Sequence, residues 1–156
     1  VSTQRFVLNE WILHDLRGDN GPKAQEESHR FLDKLKEKCD RIAVLIGSPW
    51  MGKAYELMWH TNPPIRTLSK HLHGILRDSR KCELLDQSRI KTLPEDLKGS
   101  VPPGDFYLVE TYYSADAQVL VTTDQKLIQI LSAAQNVNIR LRDGFLRKYL
   151  DDTESL

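Results

Sequence analysis

The chain has 156 residues, 40% hydrophobic and 28% charged, with 22 Lys+Arg set against 22 Asp+Glu. That length suits one domain around a single core, and a formal net charge of zero provides no global field for nonspecific nucleic-acid binding, so only a local basic patch would serve. No apolar run approaches the roughly 20 residues of a membrane helix, so no membrane role is expected, and the opening VSTQR lacks the charged-then-apolar order of a secretion signal.

In chain order, Arg5 to Leu8 predicts a short strand, and EWILHDL (10–16) a helical stretch stopped by the turn-rich GDNGP that follows. Residues 23–39 predict a long charged helix with Phe31, Leu32 and Leu35 on its inner face. Residues 41–46 are apolar after Arg41 and predict a central strand. Ser48 as cap and Pro49 in the first turn predict a helix to about His60, broken by Pro63-Pro64.

The next helix is expected over 65–80. Ile65, Leu68, Leu72 and Ile75 mark its apolar face, and Arg66, Lys70, His73 and Arg77 a basic stripe on another. No acid occurs between Leu57 and Arg77, in a chain otherwise rich in acids. The five histidines include His71 and His73, but two apart on a helix they point to different sides, and no zinc site is expected. Cys39 and Cys82 are far apart and form no CxxC; reduced thiols in a cytoplasmic protein are expected, with a disulfide as the lesser alternative.

In 82–104, Glu83-Leu84-Leu85 and Ile90 to Leu93 read as short strand pieces, and 101–104 as a loop. Asp105 opens a helix with Leu108, Tyr112 and Ala115 inward. A strand at 118–122, a helix at 125–133, a strand at 137–141 and a helical turn or two at 145–150 complete the chain, with 151–156 a loose tail. Strands alternate with helices throughout, which predicts one α/β domain over 1–150: a three-layer α/β/α arrangement with a central, mostly parallel sheet.

Several α/β chemistries lack their motifs. There is no Gly-x-Gly-x-x-Gly, no Walker lysine loop and no Gly-x-Ser-x-Gly elbow. What remains is a set of acids and amides near strand ends: Asn9 and Glu10 after the first strand, Glu56 on the helix after the second, Asp105 at a helix start, and Asp124 after the apolar run Val119-Leu120-Val121. Hard divalent cations require several oxygen ligands on a rigid frame, and such a cation activates water for in-line attack at a phosphodiester. Asp124 is equally suited to cap the helix that follows it, and Asp105 to meet a helix dipole.

The segment from Asp105 through Asp124 to Leu127 (DFYLVETYYSADAQVLVTTDQKL) resembles the C-terminal half of PIN domains, in which an Asp opens a helix and a short strand ends in Val-Thr-x-Asp before another helix. NIRLRDGFLRKYL (138–150) is similar to the family's closing strand and helix, FVLNEWIL (6–13) to its opening strand, and Ser48-Pro49 to its second strand-helix junction. The resemblance spans nearly the whole chain and is most specific at 105–127.

It implies a PIN-like fold and a divalent-metal-dependent endoribonuclease that cleaves single-stranded RNA with Mg2+ or Mn2+, the family including toxins of toxin–antitoxin pairs. By that resemblance Asp105 and Asp124 match two metal-binding acids. Asn9 stands where an Asp is expected, and Lys53 stands near the place of a helical Glu, with Glu56 one turn further on. Asn9 and one of Glu10 or Glu56 would complete the shell, and Arg66, Lys70, His73, Arg77 and Lys53 would meet RNA phosphates. An antitoxin or other protein partner and a homodimer are implied by the family alone. The alternative is a catalytically degenerate PIN-like module that binds RNA or a protein partner. Trp11, Trp50 and Trp59 are assigned to the core rather than to base stacking, Tyr112 and Tyr149 to the core or an interface, and Glu110 and Asp116 to the periphery.

Overall fold

The computed structural model describes residues 3–134 and 136–151. A five-stranded sheet forms its centre, with strands β1 (Arg5–Leu8), β2 (Arg41–Leu45), β3 (Cys82–Leu85), β4 (Val119–Thr122) and β5 (Ile139–Leu141) in the order β3-β2-β1-β4-β5, every pairing parallel. Parallel neighbours require crossovers, and helices supply them. Between β1 and β2 run α1 (Trp11–Arg17) and α2 (Pro22–Glu37); between β2 and β3 run α3 (Pro49–Met58) and α4 (Pro63–Leu76). The short α5 (Glu95–Lys98) and α6 (Phe106–Ser114) lead to β4, α7 (Gln125–Ser132) joins β4 to β5, and α8 (Arg142–Leu150) follows β5. The three-layer α/β/α expectation holds, and the sheet is parallel throughout rather than mostly so.

The two faces of the sheet bury two separate cores, because successive strand residues point opposite ways. Phe6, Leu8, Ile42, Val44, Val119 and Val121 face α1, α2, α3, α4 and α8. Val7, Ala43, Leu45 and Leu120 face α5, α6 and α7. Phe31, Leu32 and Leu35 are fully buried, as the periodicity of α2 predicts. Gly18, at φ 89, ends α1 in the left-handed conformation and donates its N–H to the Asp15 carbonyl, a turn that a side chain would strain.

Four expectations are corrected. Pro63-Pro64 does not break a helix but opens α4, where a missing N–H costs nothing, with Asn62 Oδ1 capping the Ile65 N–H at 3.2 Å. α4 ends at Leu76 rather than 80. Ile90 to Leu93 form no strand; Leu93 turns inward to the second core beside Leu97 and Val101. Trp59 lies outside the core at 81% exposure, whereas Trp11 and Trp50 are buried. Cys39 is an exposed free thiol and Cys82 a buried one, so no disulfide joins them. Beyond Asp151, which closes α8, the expected tail lies outside the described residues.

Candidate functional site

The order β3-β2-β1-β4-β5 reverses direction at β1: the chain leaves β1 toward β2 on one side and later returns to β4 on the other. The two crossovers diverge there, and at such a switch point open α/β sheets accept ligands in the crevice outside the carboxyl ends of the strands, here β1 and β4. Asn9 and Asp124 follow those two strand ends.

The register aligns Leu8 with Val121, and the Asn9 N–H continues the ladder by donating to the Val121 carbonyl at 2.9 Å. Asn9 therefore lies beside Thr122. Its Nδ2 donates to Thr122 Oγ1 at 2.9 Å, and its Oδ1 accepts the Glu10 N–H at 2.7 Å, so the amide is fixed and keeps one lone pair for another partner. Thr122, fully buried, also accepts the Asp124 N–H at 3.0 Å. One hydroxyl thus ties both strand ends together. Sequence reasoning passed over Thr122, although its place in the Val-Thr-x-Asp string was the available signal.

Asp124 plays its structural part with a single oxygen. Oδ1 accepts from the Lys126 and Leu127 N–H groups at 3.0 and 3.2 Å and caps α7, while Oδ2 accepts nothing among the described residues. The cap and ligand roles are therefore compatible: the cap orients the carboxylate, and the second oxygen faces solvent.

Asp105 ends a one-turn 3-10 helix, Pro103–Asp105, and stands at the N-cap position of α6 without making a side-chain cap bond. Its half-buried carboxylate has no side-chain hydrogen bond among the described residues. Burial, then the charges of Asp124 and Glu10, push its pKa above the ordinary Asp value. Glu10 and Asp124, from two other parts of the chain, are thus close enough for each to disfavour the charge on Asp105.

Glu10 is held from two sides, by Lys53 of α3 and by the Tyr107 hydroxyl of α6, which donates at 2.9 Å. Burial works to raise its pKa, but the hydrogen bonds from Lys53 and Tyr107 and the charges of Lys53 and His14 outweigh it and leave the carboxyl below its usual value. Burial and the adjoining Glu10 push the Tyr107 phenol upward, so it remains a donor. No spacing in the sequence marked Tyr107 as a partner of Glu10. Glu56 is exposed on α3, where its charge acts on Arg17 of α1.

The donors at this edge are carboxylate and amide oxygens, which suit hard cations such as Mg2+ or Mn2+. Among the described residues, the group of three metal-ligating side chains whose ligand atoms lie within 4.8 Å of one another is His29, Asp33 and His71, so the acids at 10, 105 and 124 are spread more widely than that.

The basic stripe is corrected at His73. This residue is buried, its Nε2 lies 2.8 Å from the Ala54 carbonyl oxygen, and its ring stacks on Tyr55, so it locks α4 to α3 and does not reach solvent. Arg66, Lys70 and Arg77 are exposed. Arg77 lines a cleft with Arg41 and Cys82, the first residues of β2 and β3, at the opposite end of the sheet from Asn9 and Asp124. Lys53 is engaged with Glu10.

These features define a three-layer α/β/α protein with an all-parallel sheet and an oxygen-rich edge at its topological switch point. No family model matches the chain, and neither a curated protein nor a solved structure matches it significantly.

Proposed function

We propose that the switch-point crevice is the active site of a divalent-metal-dependent endoribonuclease of PIN type, acting on single-stranded RNA. One observation carries this reading: the half-buried Asp105 carboxylate, with no hydrogen-bond donor among the described residues, stands at the start of α6 within reach of the charges of Asp124 and Glu10. Mutual repulsion among acids at a crevice is relieved by a cation. Asp105, the free Oδ2 of Asp124 and the remaining lone pair on Asn9 Oδ1 would hold it, directly or through water.

Mg2+ or Mn2+ bound there supplies charge neutralisation at a phosphate and activation of water. The chain's own residues do the positioning. Thr122 fixes Asn9 and Asp124 relative to each other, and Lys53 and Tyr107 fix Glu10. Glu10, held ionised with a depressed pKa, adds negative charge at the rim. Arg66 and Lys70, exposed on α4, are the proposed RNA-backbone contacts.

Cleavage of a labelled single-stranded RNA with Mn2+ or Mg2+ tests the proposal. The wild-type chain is expected to cleave, EDTA to stop cleavage, and Asp124→Asn, which retains a capping side chain, to slow it about a hundredfold or more. Metal-independent cleavage, or equal rates for wild type and Asp124→Asn, would overturn it.

A non-catalytic RNA- or protein-binding module is the second reading. The Lys53–Glu10 pair and the neutral Asn9 favour it, since both reduce the negative charge available to a cation. It predicts RNA binding that weakens with salt and ignores EDTA, or a stable protein complex without RNA. An antitoxin-like partner would co-purify with the chain under either reading.

A further inference from the structure

A second cluster of ligating side chains lies away from the acidic edge, where α2 packs on α4. His29 and Asp33 sit at i and i+4 of α2, one turn apart on the same face, with His29 Nε2 and Asp33 Oδ2 3.7 Å apart. His71 of α4 faces them, its ring edge-on to that of His29 with centroids 5.1 Å apart. Ligand atoms of all three lie within 4.8 Å of one another. Both histidines are half-buried and Asp33 is exposed, so the group opens to solvent on one side.

We propose that His29, Asp33 and His71 form an inter-helix site for a zinc-type divalent cation that clamps α2 to α4. Two imidazoles and one carboxylate match the borderline-soft preference of Zn2+, unlike the all-oxygen donors at the sheet edge. Three protein ligands leave a fourth, solvent-facing position for water. Zinc bonds of about 2.0 Å place tetrahedral ligands roughly 3.3 Å apart, so a modest closure by side-chain rotation completes the site.

The side chains that act on His71 from the facing helix are Lys36, His29 and Asp33 of α2. Lys36 Nζ donates to His71 Nδ1 at 2.9 Å. Its ammonium lies next to where the cation would bind, so it competes for the histidine and moves aside on a flexible, exposed stem.

Zn2+ titration of the full chain by calorimetry, with thermal melting and Co2+ visible absorption alongside, tests the site in the presence of excess Mg2+. Expected are one Zn2+ per chain that Mg2+ does not displace, a rise in Tm and an intense Co2+ spectrum. His71→Gln and His29→Gln, both at half-exposed positions compatible with folding, should each weaken Zn2+ binding about tenfold or more. Lys36→Met should tighten it. Asp105→Asn and Asp124→Asn should leave it unchanged, which separates this site from the acidic edge. Absence of saturable Zn2+ binding, or binding that survives both histidine variants, would overturn the proposal.

Discussion

Asp15 and Asp105 are carboxylates treated in opposite ways. Asp15, 1% exposed, accepts from Asn20 Nδ2 at 2.7 Å, Ser28 Oγ at 2.8 Å and Arg142 Nε at 2.8 Å. Arg142 in turn reaches Glu27 and Asp143 and lies over the Trp11 ring. Every charge in that network has a partner, and it joins α1, α2 and α8. The Asp105 carboxylate is less buried but has no donor among the described residues, and the charges that act on it carry its own sign. A carboxylate that holds a fold together is satisfied within the protein; one left in repulsion lowers stability and is retained where something else binds. The contrast between the two acids marks Asp105 as the candidate-site residue better than burial or acidity alone.

The largest effect that would break this contrast is at Arg142. Arg142→Met leaves a buried carboxylate short of its cation, and the expected loss is about 3–5 kcal/mol in a denaturant titration. A loss near zero would place Asp15 among the unsatisfied acids. Next is the cap at Ser48, whose hydroxyl accepts the Met51 N–H at 3.2 Å; Ser48→Ala should cost about 1 kcal/mol. Tyr107→Phe should cost about as much or less, because it removes one of the two donors to Glu10 while Lys53 remains. It should also raise the Glu10 pKa, which a carboxylate NMR titration reads directly.

The smallest effect has the opposite sign. Asp105→Asn removes the repelled charge, so the metal-free chain should melt at a higher temperature at neutral pH while losing affinity for Mn2+. The pH dependence follows the same logic. Because the folded-state pKa of Asp105 lies above the ordinary 3.8, the folded form holds its proton to a higher pH than the unfolded chain does. Stability from this group is therefore gained as pH falls through the folded pKa, and the gain is complete below 3.8. Glu10, depressed below 4.5, acts the other way: its contribution is present above 4.5 and is lost as pH falls through its folded value. Comparing urea midpoints across the acid range in wild type and Asp105→Asn isolates the first contribution, which should vanish in the variant.

Local chemistry made some of this legible in the sequence. The apolar runs at 42–46 and 119–121 announced buried parallel strands, Ser48-Pro49 announced a capped helix, and Asp124 announced both a cap and a strand-end acid. Long-range placement was not legible. Cys82-Glu83-Leu84-Leu85 is too short and mixed to reveal that it pairs along its full length with β2. Pro63-Pro64 carries the same signal whether it ends a helix or begins one, and only Asn62 as cap decides between them. His73 fell on a basic stripe by periodicity, but the packing of α4 on α3 turned it inward. His29 and His71 lie 42 positions apart, and no spacing rule within one helix could join them.

Calorimetric titration of the metal-free chain with Mn2+, run in parallel on the His29→Gln variant and on the same variant carrying Asp105→Asn and Asp124→Asn as well, tests the shared acidic site most directly, with His29→Gln weakening the α2–α4 cluster equally in both. Saturable binding of Mn2+ by the first and its loss in the second, with both chains folded, is the predicted result. Equal Mn2+ affinity in the two chains would contradict it.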